Sequence, residues 1–186
     1  MTACTTSIAT KELEVRYGKT VAVTDVNLDI PAGSLLSVIG PNGAGKSALL
    51  KALAGAIEIH SGDIDIPGPP PSFVMQSTEV DPSLPISVKD VVSLARYSNR
   101  GLFKRFRKKD RDAVDEAIER LNLKDLAKRQ LHELSGGQRQ RVLVAQGLAQ
   151  DSNVLLLDEP INGLDLLSRD IILEMITEEV NAGRTI

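Results

Sequence analysis

The chain has 186 residues, 42% hydrophobic and 25% charged, with a net charge of −3 at pH 7; this suits one good-sized domain, and with 3% aromatic residues and no Trp its core must be aliphatic. The slight negative charge excludes a global basic field of the kind that gathers nucleic acid. The single cysteine, Cys4, excludes an internal disulfide framework and fits a reducing compartment; no run approaches the about 18 apolar residues of a membrane span, and residues 1–10 lack the basic and apolar regions of a signal peptide.

In chain order, Glu12 to Tyr17 alternates in polarity and breaks at Gly18, as a strand does. Val26, Leu28 and Ile30 repeat with period two before a Pro31-Ala32-Gly33 turn. Leu35 to Ile39 is a short, mostly apolar run, which predicts a strand buried on both faces of a sheet. Leu49, Leu50 and Leu53 then mark a helix, with Gly55 as its stop. Short strands are expected between Ser61 and Val74, joined by a stiff, proline-rich connection at residues 67–71. From Asp81 the pattern turns helical, and Ala113, Val114, Ala117, Ile118 and Leu121 share one face. Ser135 opens another helix with Gln138 in a capping box; its buried stripe is Val142, Ala145, Leu148 and Ala149. Val154 to Leu157 predicts a second buried strand. Leu167, Ile171, Met175 and Ile176 mark a final helix ending near Gly183, and Thr185-Ile186 begins a further strand.

Three segments carry chemistry. Gly40-Pro41-Asn42-Gly43-Ala44-Gly45-Lys46-Ser47 is a complete phosphate-binding loop between an apolar strand and an amphipathic helix, and Ala48 joins it among the nucleotide-binding candidates. Its glycines let backbone N–H groups point inward at phosphate oxygens, Lys46 brings a charge to the β- and γ-phosphates, and Ser47 offers a hydroxyl to Mg²⁺. Asp158 and Glu159 follow a buried strand, the edge of a parallel sheet where ligands bind. There Asp158 can hold Mg²⁺ through water, and Glu159 can polarise the water that attacks the γ-phosphate. Ser135-Gly136-Gly137 stands at a helix start, a second anion site that one nucleotide cannot easily share with the phosphate loop of the same chain. A facing subunit resolves that difficulty.

With these motifs in place, nearly the whole chain, from about Ile8 to Ile186, resembles the ATP-binding-cassette ATPases: Leu134-Ser135-Gly136-Gly137-Gln138 matches their signature motif, shortly before Asp158-Glu159. The resemblance implies an α/β P-loop NTPase fold with an antiparallel β subdomain and an α-helical subdomain. It implies one domain, with the ATP-binding core and β subdomain in residues 1–76 and 151–186 and the helical subdomain in 77–150. It makes Tyr17 the aromatic that stacks on adenine. Gln76 becomes the glutamine that touches Mg²⁺ and senses a transmembrane partner, and Asp165, in Asn162-Gly163-Leu164-Asp165, the acid of a loop that crosses a dimer interface. It implies two ATPs sandwiched in a head-to-tail dimer, with Ser135 and Gly137 of one subunit on the γ-phosphate held by Lys46 of the other. Transmembrane permease subunits would convert closure into transport at the cytoplasmic face of the membrane, served by an extracellular substrate-binding protein and with no nucleic acid.

Ile86 to Val92, Ala95-Arg96-Tyr97 and Gly101-Leu102-Phe103, with Asn162 to Asp165, are similar to the ATPases of metal-ion importers for manganese, zinc or chelated iron. The seven basic residues between Arg100 and Arg111 read as a solvated edge of the helical subdomain. His60 and His132 have no metal-ligand spacing to another His or Cys and neither matches the family's switch histidine. That histidine follows a strand beginning near Ile186, so the resemblance implies a C-terminally truncated chain. Two alternatives stay open at this point: a truncated ATP-binding module without hydrolysis, and a cassette ATPase of DNA repair or translation.

Overall fold

The computed structural model describes residues 6–75, 85–97, 106–150 and 152–186. Strands β1 (Thr6–Tyr17) and β2 (Thr20–Pro31) form an antiparallel hairpin, turned at Gly18 in a left-handed conformation. Strand β3 (Ser61–Asp65) pairs with the other edge of β1, giving the order β2-β1-β3. The register shifts between Thr10 and Leu13, where Glu12 takes φ 49° and its N–H donates to Asn27 Oδ1 at 2.9 Å. The Thr10 hydroxyl closes the same irregularity, donating to the Val26 carbonyl and accepting from the Leu28 N–H.

Helix α1 (Lys46–Leu53) lays Ala48, Leu49, Ala52 and Leu53 on an aliphatic layer of Ile8, Leu13, Val15 and Ile30, joined by Val154 and Leu156. A fully buried side chain the size of Leu13 contributes about 1.5–3 kcal/mol, so this layer holds hairpin and helix together. Strand β5 (Leu155–Leu157) pairs with β4 (Ser72–Val74) and is buried as expected from its apolar run. Thr185 bridges Val154 in parallel. Its hydroxyl donates to Ser7 Oγ and accepts from the Gly33 N–H, both at 2.9 Å, so the expected strand beginning at Thr185 is tied to β1 and to the turn after β2.

These segments form one compact unit, Met1–Phe73, Ser152–Asp158 and Glu178–Ile186; a second comprises Val74–Asp151 and Glu159–Thr177. In the second, α2 (Val88–Leu94), α3 (Lys108–Arg120) and α4 (Gly136–Ala149) pack on one another around Val88, Val92, Val114, Ala117, Ile118, Leu121, Val142, Val144 and Ala145. Helix α4 is buried round most of its circumference, with Gln140, Arg141, Val144 and Gly147 inside as well as Val142, Ala145 and Ala149 of the expected stripe, whose Leu148 is only half-buried. Arg96 and Asp110 form a buried ion pair at 3.1–3.2 Å, and Arg96 Nη1 also donates to the Ala149 carbonyl at 2.8 Å, fastening the last turn of α4.

Two expectations differ from the structure. Leu35 to Ile39 forms no strand, and Leu35, Leu36, Val38 and Ile39 are 58%, 45%, 41% and 91% exposed. An apolar run becomes a buried strand only where neighbours take its backbone groups. Here, among the described residues, the pairing is the Leu36 N–H to the Ile186 carbonyl and the Ile186 N–H to the Ser34 carbonyl, so it engages only the start of the run. Helix α5 (Leu166–Asn181) exists as expected but buries Ser168, Ile172, Met175 and Glu179, while Leu167 stays 63% exposed. Its phase is set at its start, where Asp165 caps Ser168.

Candidate functional site

The phosphate loop closes on itself before α1. Gly43 and Gly45 have φ of 83° and 87°, where a side chain strains the backbone. Gly45 is doubly restricted, because a Cβ there would collide with the Ala22 carbonyl and lie 3.0 Å from Val23 Cγ2 on β2. Lys46 Nζ folds back over the loop, donating to the Gly40 and Pro41 carbonyls at 2.9 Å. No side chain caps this end of α1. Pro41, Asn42, Gly43 and Ala44 lie exposed on its approach, while Ala48 is buried and anchors the first turn.

Ser47 Oγ donates to Asp158 Oδ1 at 2.9 Å. The residues lie 111 positions apart, on α1 and at the end of β5. Asp158 is 7% exposed, so the buried strand delivers its carboxylate to the mouth of the phosphate loop. A hydroxyl and a carboxylate in contact make a hard-oxygen pair of the type that serves Mg²⁺ when phosphate and water complete its shell. Among the described residues there is no cluster of three or more His, Cys, Asp or Glu to hold a metal unaided. Tyr17 is half-exposed at the tip of the β1–β2 hairpin.

Glu159 adopts φ 50°, a left-handed conformation uncommon for glutamate, and accepts a hydrogen bond from Asn162 Nδ2 at 2.8 Å. Strain of this kind clusters where a side chain must be aimed, and no feature of the sequence announced it. Gln76 lies outside the described residues.

The second helix start is built differently. Ser135 Oγ accepts from the Gln138 N–H at 3.3 Å, and Gln138 Oε1 accepts from the Ser135 N–H at 3.0 Å, completing the expected capping box. Around Gly136 there is open space. At Gly137 an added Cβ would collide with Asp165 Oδ2 and meet Ser168 Oγ at 2.6 Å. Asp165 itself accepts from the Ser168 N–H and hydroxyl, both at 2.9 Å, and these bonds hold its carboxyl below the usual carboxylate range. Arg141, one turn after Gly137, adds a favourable charge to Asp165, while burial lowers the guanidinium's own pKa. Ser168, 1% exposed, and the Arg96–Asp110 pair were not anticipated from the sequence; the only available signal was a polar residue on the helical register of the α5 core face.

Residues 23–162 match the family described as ABC transporter. The chain is 39% identical over 181 residues to the manganese transport system ATP-binding protein MntB of Listeria innocua, a match covering 94% of this chain and 75% of that protein. It is 35% identical over 187 residues to the zinc transport system ATP-binding protein TroB of Treponema pallidum, covering 97% of this chain and 71% of that one. Among solved structures, a metal-chelate type ABC transporter in an inward-facing conformation is similar with a TM-score of 0.85 and 33% identity, over 97% of this chain and 71% of the other.

Proposed function

The chain belongs to the ABC transporter family, as an ATP-binding ATPase, and from that membership we propose that it powers the import of a metal ion as the ATP-hydrolysing subunit of a membrane complex. The metal class rests on the manganese and zinc systems to which its relatives belong and on the metal-chelate type transporter whose structure it resembles. No described helix is long and apolar enough to cross a membrane, so transmembrane permease subunits provide the path, a second copy or homologous ATPase completes the sites, and a substrate-binding protein delivers the ion. The division of labour within the chain assigns residues 1–76 and 151–186 to the ATP-binding core and β subdomain, and residues 77–150 to the helical subdomain.

The Ser47–Asp158 contact carries the reading. In it, the backbone N–H groups of residues 43–47 and the Lys46 ammonium hold the β- and γ-phosphates, with Gly40, Pro41, Asn42, Ala44 and Ala48 shaping the loop. Tyr17 stacks on the adenine. Ser47 and Asp158, with Gln76, would hold Mg²⁺, which when bound draws negative charge off the phosphate oxygens. Glu159 orients and polarises the attacking water, its carboxylate steadied by Asn162. The amino end of α4, Ser135 to Gln138, contacts the γ-phosphate held by the other subunit, and Asp165 lies in the loop facing that subunit.

Glu159→Gln tests the assignment. ATP hydrolysis should fall at least about 100-fold, with ATP affinity retained and an ATP-loaded dimer persisting, whereas Lys46→Ala should lose tight ATP binding. Normal turnover by Glu159→Gln would remove Glu159 from its role. In cells, the same variant should abolish uptake of one of manganese, zinc or chelated iron; unchanged uptake of all three would remove the substrate class.

A further inference from the structure

The contact between the first turns of α4 and α5 uses more of the chain than capping requires. Asp165 spends both carboxylate oxygens on Ser168, one on its N–H and one on its hydroxyl, each at 2.9 Å. A lone N-cap needs only the first of these bonds. The second fixes the remaining oxygen where it closes the space above Gly137, so that a Cβ at Gly137 has no room. Four residues along the same face of α4, Arg141 is 5% exposed and donates to the Leu121 and Asn122 carbonyls at 3.0 and 3.1 Å. Its position is therefore set by the core of the helical unit, and its charge favours the ionised Asp165. Gly137 thus leaves room for the carboxylate on one side, and Ser168 holds it from the other. The loop that ends at Asp165 begins at Glu159, whose φ of 50° and bond to Asn162 anchor its other end.

We propose that Ser168 is a positioning residue for ATP hydrolysis: by clamping Asp165 against Gly137 it locks the loop from Glu159 to Asp165 to the amino end of α4. The proposal rests on the functional reading above. Movement of the α4 end on meeting a γ-phosphate is then passed to the loop that starts at Glu159. Ser168 touches no reacting atom; it acts through Asp165. Loosening the clamp lowers turnover without weakening the phosphate loop's own grip on nucleotide, because the clamp is built from Gly137, Asp165 and Ser168 and the grip from residues 40–48.

The test measures steady-state ATPase activity and ATP affinity of the full chain in its transporter complex. Ser168→Ala should lower kcat about tenfold and leave the KM for ATP within about twofold. A kcat that stays at the parent value, or falls only as far as the folded fraction seen by circular dichroism, overturns the proposal. Because Ser168→Ala also removes a part-buried hydrogen bond, a second comparison guards against a folding defect. Asp165→Ala alone should lower kcat, and adding Ser168→Ala should cost little more, because Ser168 acts through the Asp165 carboxylate. Additive losses mean that Ser168 is merely structural and end the proposal. A parent complex with no ATPase activity would instead sink the functional reading, and so the two failures are distinguishable.

Discussion

Two helix amino ends in this chain, those of α1 and α4, were both expected to receive phosphate, and they are prepared in opposite ways. The α1 end has no side-chain cap among the described residues; Gly45 enters it at φ 87°, and Lys46 lies over the loop, its ammonium held by two carbonyls. The α4 end is capped by Ser135 and Gln138, closed over Gly137 by Asp165, and fastened at its far end by Arg96. An uncapped end leaves its N–H groups to whatever anion arrives, and the helix dipole supports that anion. A capped end presents a fixed surface. The difference fits one end that captures nucleotide and another that must hold its shape until nucleotide is brought to it.

The largest effect should come from breaking the anchorage of α4. Arg96→Ala takes the guanidinium away from Asp110, a fully buried carboxylate, and leaves the Ala149 carbonyl without its donor. Removing one partner of a buried pair costs about 3–5 kcal/mol. Chemical denaturation should show that loss, whereas the double replacement Arg96→Met with Asp110→Leu should recover much of it. If Arg96→Ala left stability unchanged, the far end of α4 would not be held as described.

Next in size is Gly45→Ala, which attacks the open end. It forces a side chain into a left-handed conformation and into the Ala22 carbonyl on β2. Each fault costs about 1–3 kcal/mol, and the loop can relieve them only by moving away from the hairpin. ATP binding, read by calorimetry, should therefore be lost together with thermal stability. Gly43→Ala, strained by its φ but with nothing within 4 Å of the added carbon, should cost less. Equal effects at the two positions would mean that the close approach to β2 plays no part.

The open end was legible in the sequence because its requirements are local: glycines where φ is positive, a lysine and a serine at fixed offsets, a helix stripe afterwards. The Ser135–Gln138 box and the β5 run were legible for the same reason. What escaped depends on partners distant in sequence. Leu35 to Ile39 reads as a buried strand from its side chains, but its burial is decided by who pairs with it, and the described pairing with Ile186 ends at Leu36. Asp110 sits in a stretch of charged residues that reads as solvated, yet Arg96, 14 positions earlier, draws it inside. In α5, Ile171 and Ile172 are equally apolar; the cap at Asp165 decided which one faces the core. The same cap accounts for Ser168, a polar residue whose burial makes sense only once its partner is known.

The smallest expected effect is also the sharpest test of the contrast. Ser135→Ala removes the hydroxyl that accepts from the Gln138 N–H and should destabilise the chain by about 1 kcal/mol. If the α4 end only needed to be an anion site, the freed N–H would improve it, and ATP-driven dimerisation would strengthen. If its value lies in a fixed shape, and its hydroxyl is the group offered to a γ-phosphate across the interface, dimerisation should weaken while the isolated chain binds ATP as before. Ser135→Asp separates shape from charge: it restores the cap, since aspartate is as good an N-cap as serine, but sets a carboxylate where a phosphate must approach. Stability should return to the parent value and dimerisation should fall further, by about tenfold or more, because like charges meeting at an interface cost several kcal/mol. Sedimentation at matched ATP concentrations reads both variants, and a dimer unaffected by Ser135→Asp would show that no phosphate approaches this end of α4.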